Sequence, residues 1–216
     1  MSEREGRERT FVATAAHELR TPAAALYGIA STLVDRQGTL EPEQVIALHD
    51  MLLLNAQRLS DLIDELLDLS RVEADAVDVV PEPLDVRSRV AELADGLGAE
   101  VTIDVPDGLR PLVDKAAFDR IVGNLLGNAV RHGRPPVHVT AEVDGATFRL
   151  AVEDGGDGVA PEFAPRLFER FSRTAGGGTG LGLAIADAYA RAHGGTLSYE
   201  TAAPQGARFV LTLAGQ

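Results

Sequence analysis

Residues 45–69 carry an unbroken heptad. Val45, Leu48, Leu52, Asn55, Leu59, Leu62, Leu66 and Leu69 follow at steps of three and four, with no glycine or proline between them. That spacing lays one apolar stripe along about seven helical turns. A helix striped on one side gains little stability alone and must bury the stripe against another element. The segment before it supplies one, because Phe11, Ala15, Leu19, Pro22, Leu26, Ile29 and Leu33 also share a face. Gln37-Gly38-Thr39-Leu40 breaks the pattern, and Glu41-Pro42 restarts it with proline in the first turn, where its missing N–H costs little. Residues 6–76 therefore read as two long helices.

Two helices make a thin core. A second copy of the chain, paired through residues 6–76, is expected to complete a four-helix bundle. The alternative is a hairpin packed on the rest of the same chain. Asn55 is the one polar member of the heptad, of the kind that fixes register in coiled coils.

Beyond Val79 the periodicity changes. Val79–Asp85, with Pro81 and Pro83, reads as a linker between a helical hairpin (1–78) and a mixed domain (86–216). Val101, Ile103 and Val105 alternate as a strand, and 114–131 reads as a helix. Val137 to Val143 alternate up to Asp144-Gly145, a hairpin turn followed by Phe148, Leu150 and Val152. Gly180 to His193 reads as a helix closed by Gly194-Gly195, and Leu197–Tyr199 and Phe209–Leu213 as two final strands. The fold class expected is an all-α hairpin followed by an α+β two-layer sandwich.

Composition narrows the chemistry. There is no cysteine, hence no disulfide, thiolate metal site or cysteine nucleophile, and Lys115 is the only lysine. A net charge of −13 argues against a broad nucleic-acid footprint, which needs clustered Lys and Arg. An anionic ligand must be held locally, by backbone amides, a helix end or a metal ion. No apolar run approaches the ~20 residues of a membrane helix, and the N-terminus lacks the apolar core of a signal peptide, so a cytoplasmic location without membrane contact by this segment is expected, any membrane anchor of the natural protein lying outside this sequence.

His17 lies about 155° from the centre of the first apolar stripe and so points to solvent. Its neighbours on that face are small: Ala13, Ala24, Gly28 and Ser31. Pro22 removes the helix bond that would have reached the Glu18 carbonyl. A lone exposed histidine is usually just solvated, and a zinc-protease motif would need a second histidine where Thr21 stands. The whole string Phe11-Val-Ala-Thr-Ala-Ala-His17-Glu18-Leu19-Arg20-Thr21-Pro22 closely resembles the H-box of sensor histidine kinases. The resemblance implies that His17 is the phosphoacceptor, that Glu18 assists its attack, and that Thr21 serves removal of phosphate from a response regulator. Ala23 departs from the large aliphatic usual after the proline.

Three constellations follow in the second half. Asn124 and Asn128 are four apart on one helix face, with Arg131 within a turn; two amide oxygens suit a hard cation or its waters. Asp154-Gly155-Gly156-Asp157-Gly158 follows a strand, and its carboxylate could accept from an adenine amino group. Gly176-Gly177-Gly178-Thr179-Gly180-Leu181-Gly182 opens into a helix whose free amides suit an anion. It lacks the ending of a Walker A loop and the strand that precedes a dinucleotide fingerprint. In this order the three, with Phe168 and Phe171, resemble the N, G1, F and G2 boxes of the same kinases, whose ATP-binding fold is shared with gyrase, mismatch-repair and chaperone ATPases.

The resemblance spans about residues 8–213 and implies ATP and Mg²⁺ as cofactors. Asn128 would be the principal Mg²⁺ ligand with Asn124 beside it. Arg131 would contact phosphate, Asp154 would read adenine, and Gly156 and Gly158 would line the pocket. Gly178, Thr179, Gly180, Leu181 and Gly182 would wrap the phosphates, and Phe168 and Phe171 would hold a lid. Departures are the short stretch between Phe171 and Gly178, Ala207 for a threonine near adenine, and Gly133 for a hydroxyl residue after the N box. The expected function is autophosphorylation of His17 from ATP, the ATP domain swinging on the 79–85 linker, then transfer to an aspartate of a response-regulator receiver domain, with regulator phosphatase activity alongside. The alternatives are a nucleotide-gated phosphatase or scaffold, a gyrase- or chaperone-type ATP hydrolase, and an anti-sigma-factor serine kinase.

Overall fold

The computed structural model describes residues 3–73, 79–172, 178–203 and 205–214. Gly176, Gly177 and most of the short stretch before Gly178 lie outside the described residues. The chain divides into two compact units, Met1–Asp68 and Leu69–Gln216.

The first unit is built from α1 (Glu3–Asp35) and α2 (Pro42–Glu73), the latter extending past the boundary. Helix α2 starts as its sequence dictates, with Pro42 in the first turn and the Glu41 N–H donating to Gln44 Oε1 at 3.1 Å, half of a capping box. All seven stripe residues of α1 and all eight heptad residues of α2 are buried or half-buried. Both stripes read from sequence are thus the sheltered faces of their helices. The Asn55 Nδ2 donates to Met51 O of its own helix at 2.7 Å.

The second unit sets a five-stranded sheet under helices. Its strands are β2 (Val101–Asp104), β4 (Val137–Asp144), β5 (Thr147–Asp154), β6 (Thr196–Thr201) and β7 (Ala207–Ala214), in the order β2-β4-β5-β7-β6. Only β2–β4 is parallel. Alternation sorts the faces: Val137, Val139, Phe148, Leu150, Val152, Phe209, Leu211 and Leu213 are buried. Helices α3 (Val86–Gly96), α4 (Lys115–His132) and α5 (Gly182–Ala192) cover them with Val90, Phe118, Ile121, Leu125, Ile185 and Ala190 among others. Each such large side chain withdrawn from water contributes about 1.5–3 kcal/mol.

Three departures from the sequence reading concern boundaries. The segment read as a linker holds strand β1 (Glu82–Pro83), which pairs antiparallel with β3 (Leu112–Val113), and Leu84 behind it is buried. The Val80 N–H donates to Asp114 Oδ2 at 3.0 Å, so this segment is fastened to the sandwich. Helix α3 fills 86–96, begun by Asp85, whose side chain accepts from the Ser88 N–H. Helix α5 starts at Gly182 rather than Gly180; Gly178 and Gly180 are turn residues at φ +57° and +75°, conformations that favour glycine.

Candidate functional site

In the first unit, His17 is exposed midway along α1. Ala13, Ala24 and Gly28 are also exposed and Ser31 is half-exposed, so the face around the imidazole is open and low. The helix continues through Pro22, which is buried. Thr21 Oγ1 donates back to His17 O at 3.3 Å, and Glu18 is half-buried.

The second unit gathers most of the remaining candidates between α4, the start of α5 and the end of β5. At one end sits Asp154, the last residue of β5, only 5 % exposed. Its Oδ1 accepts from the Gly156 N–H at 2.8 Å and the Ala207 N–H at 3.4 Å, and Oδ2 has no partner among the described residues. Three positions around it admit no side chain. A Cβ at Gly133 would lie 2.5 Å from Asp154 Cγ, one at Gly156 2.8 Å from Oδ1, and one at Gly206 1.9 Å from the Asp154 carbonyl oxygen. Gly133, read as a departure from the family pattern, is thus required by the carboxylate beside it. Gly158 is at φ +75°, and a Cβ there would meet the Gly206 carbonyl oxygen at 3.0 Å.

At the other end, α5 begins without a side-chain cap at Leu181, leaving its first-turn amides to an outside acceptor. Asn124 faces it: a Cβ at Gly182 would lie 2.8 Å from Asn124 Oδ1. The Asn124 amide is oriented by Nδ2 donating to Arg120 O at 2.7 Å, which leaves the oxygen outward. Asn128, one turn on in α4, is half-buried, and its side chain makes no hydrogen bond among the described residues. Arg131 folds along α4 with Nε donating to Gly127 O at 3.0 Å, and its Nη1 lies 3.9 Å from where a Gly178 Cβ would be. His132 Nε2 lies 4.0 Å from the same point. Its burial first, and then the Arg131 charge, lower its pKa below 6.5. Sequence reasoning passed over His132; its signal was adjacency to Arg131 in the last turn of α4.

The remaining candidates divide. The Phe171 backbone, at φ +57°, abuts Gly180, where a Cβ would come within 2.7 Å, so the two ends of the glycine segment touch. Phe168 is half-buried and makes no ring contact among the described residues. Thr179 Oγ1 accepts from the Leu181 N–H at 3.3 Å. Leu181 itself is fully buried, so its side chain belongs to the core rather than to a ligand surface.

These residues fit a nucleotide triphosphate with a divalent ion. A buried carboxylate among glycines stands at one end, and uncapped amides, the Asn124 amide oxygen and a guanidinium stand at the other. No cluster of three His, Asp or Glu among the described residues could hold a metal alone, so a cation there would need phosphate oxygens to complete its shell.

The His Kinase A (phospho-acceptor) domain model matches residues 7–75, and the histidine kinase-, DNA gyrase B- and HSP90-like ATPase model matches residues 113–216. The chain belongs to the sensor histidine kinases. It is 32 % identical to the signal transduction histidine-protein kinase AfsQ2 of Streptomyces coelicolor over 99 % of its own length and 43 % of that protein. Among solved structures, the histidine kinase AdeS of Acinetobacter baumannii superposes with a TM-score of 0.77 at 27 % identity, covering 93 % of this chain and 98 % of that one. ShkA, solved with AMPPNP, gives 0.69 at 30 % identity over 96 % of this chain and 46 % of that one. The chain spans about half the length of the curated relatives it matches. As a histidine kinase core it pairs a phosphoacceptor hairpin with an ATPase domain, and among the described residues no helix is long and apolar enough to cross a membrane.

Proposed function

We propose that this chain is an ATP-dependent protein-histidine kinase that phosphorylates His17 and passes the phosphoryl group to an aspartate of a response regulator. The observation that carries the reading is Asn124. An amide, not a carboxylate, faces the uncapped start of α5. Hydrolases of this fold resemblance place a glutamate base there; an amide cannot deprotonate water, so the γ-phosphoryl group is left for another acceptor. The exposed imidazole of His17 is that acceptor.

The first-turn amides of α5 and Arg131 hold the phosphates, and Asp154 Oδ2 accepts from the base. Mg²⁺, held by Asn128 and Asn124, would offset phosphate charge when bound. A neutral imidazole nitrogen of His17 attacks the γ-phosphorus, the bond to the β–γ bridging oxygen breaks, and ADP leaves. Glu18 takes the hydrogen bond or proton from the other ring nitrogen. Thr21, whose hydroxyl is parked on the His17 carbonyl, serves the reverse traffic by positioning water against a phosphorylated regulator. The chain works in the cytoplasm.

The active form is a homodimer. Beside the sheltered heptad stripe, a second row remains in water on α2: Ile46, Leu53, Ile63 and Leu67, exposed at 44–71 %. Val12, Tyr27 and Val34 of α1 are exposed likewise. Such a length of bare apolar helix calls for a partner, and a second copy completes four helices.

Incubation with γ-labelled ATP and Mg²⁺ tests the kinase. The wild type takes up acid-labile, base-stable label, and His17→Gln and Asn128→Ala take up none. A wild type that binds ATP yet stays unlabelled refutes the kinase and leaves a nucleotide-gated phosphatase.

A further inference from the structure

We infer that the Tyr199 hydroxyl positions the glycine wall of the nucleotide pocket; the inference rests on the nucleotide reading above and names a residue that none of the family motifs contains. Tyr199 lies on β6, the edge strand, opposite Phe209 of β7. The two rings pack with centroids 5.6 Å apart at 50°, and Phe209 is 2 % exposed, so the tyrosine ring rests on the core. Its oxygen reaches across to the loop that leaves β5 and accepts the Val159 N–H at 3.2 Å.

That loop carries Gly156 and Gly158. Its first half is fastened near β5: the Gly155 N–H donates to Arg134 O at 2.8 Å, and the Gly156 N–H to Asp154 Oδ1 at 2.8 Å. Its second half has an exposed Arg134–Asp157 ion pair at 2.8 Å, which solvent screens, and the Tyr199 bond. Gly158 sits between, its missing Cβ 3.0 Å from the Gly206 carbonyl oxygen and 3.7 Å from the Tyr199 oxygen. The same β6–β7 hairpin grips Asp154 from the other side through Gly206 and Ala207. Tyr199 thereby sets the distance between the glycine wall and the carboxylate. It is a positioning residue, acting through the Val159 and Gly158 backbone, and phosphoryl transfer itself does not pass through it.

Tyr199→Phe in the full chain removes one oxygen and keeps the ring. Hydrogen exchange of the Val159 amide, followed without nucleotide, quickens by at least tenfold while the Phe209 and Leu211 amides keep the wild-type rate. The KM for ATP in autophosphorylation rises roughly fivefold, the equivalent of one neutral hydrogen bond, with kcat within a factor of two. Unchanged Val159 exchange, or an unchanged KM, overturns the inference while leaving the nucleotide site intact. So does a variant in which core amides quicken together with Val159, since that is general packing. A wild type that binds no ATP removes the nucleotide reading, and this inference with it.

Discussion

At the scale of single residues, the pocket is shaped by side chains that are missing as much as by those present. Asp154 is hemmed by Gly133, Gly156 and Gly206, and the closest of these leaves no room even for a methyl group. The carboxylate and its two following glycines were legible because a motif places them in sequence. Gly133 and Gly206 were not, since they come from 21 residues before and 52 after, and only the packed sheet brings them to one point. His132 was passed over because its importance lies in what it faces. Its lowered pKa means that the folded chain binds fewer protons there than the unfolded one. Stability from neutral His132 is therefore full above pH 6.5 and is lost as pH falls through the folded value. If the triphosphate of the proposed site lies beside the ring, it reverses the preference and draws the proton on. ATP affinity, measured by calorimetry at pH 7.5 and 6.0, is expected to rise roughly threefold on acidification, and His132→Gln to flatten that dependence. Equal slopes in both proteins would place the ring away from the phosphates.

At the scale of elements, α2 carries two apolar rows that differ in exposure. The first, 3-4 spaced and leucine-rich, was plain in the sequence, and every member is withdrawn from water. The second is diluted by His49, Ala56 and Ser60, so periodicity alone did not separate it from the first. Assigning the heptad to the hairpin and the second row to the dimer gives opposite expectations for two leucines. Leu62 is 2 % exposed, and Leu62→Ala should cost about 2–4 kcal/mol of stability through the cavity it leaves. Leu53 is 71 % exposed, and Leu53→Glu should instead halve the mass seen in sedimentation, with helicity retained. A dimer that survives Leu53→Glu would move the interface elsewhere. Short elements were harder to foresee. Helix α3 had an N-cap signal in Asp85 and apolar spacing in Val86, Val90 and Ala94, but at 11 residues it falls among ambiguous patterns. The two-residue ribbon β1–β3 has no periodicity to read, and Pro81 and Pro83 mark a breaker as readily as an edge strand.

At the scale of the whole molecule, the division lies within the last turns of α2, at Asp68/Leu69. Proline punctuation pointed later, to 79–85, and drew the hinge where the chain has already joined the sandwich. The second unit has its own core, its own helix caps and the residues of the proposed nucleotide site. A fragment of residues 79–216 should accordingly melt in one cooperative step and bind ATP as the full chain does, while taking no label on histidine. A fragment of residues 86–216 is the discriminating comparison. If 79–85 were a free linker, its removal would change nothing. In the structure it strips Leu84 from the core, breaks the pairing of Glu82–Pro83 with Leu112–Val113, and releases Asp114 Oδ2 from Val80. Asp114 is also the N-cap of α4, with Oδ1 accepting from the Ala117 N–H at 2.8 Å, so the loss reaches the helix that carries Asn124 and Asn128. Together these should cost about 2–3 kcal/mol, read as a lower denaturant midpoint for 86–216 than for 79–216. Equal midpoints would restore the linker, and would mean that residues 79–85 are free to act as a pivot at the prolines.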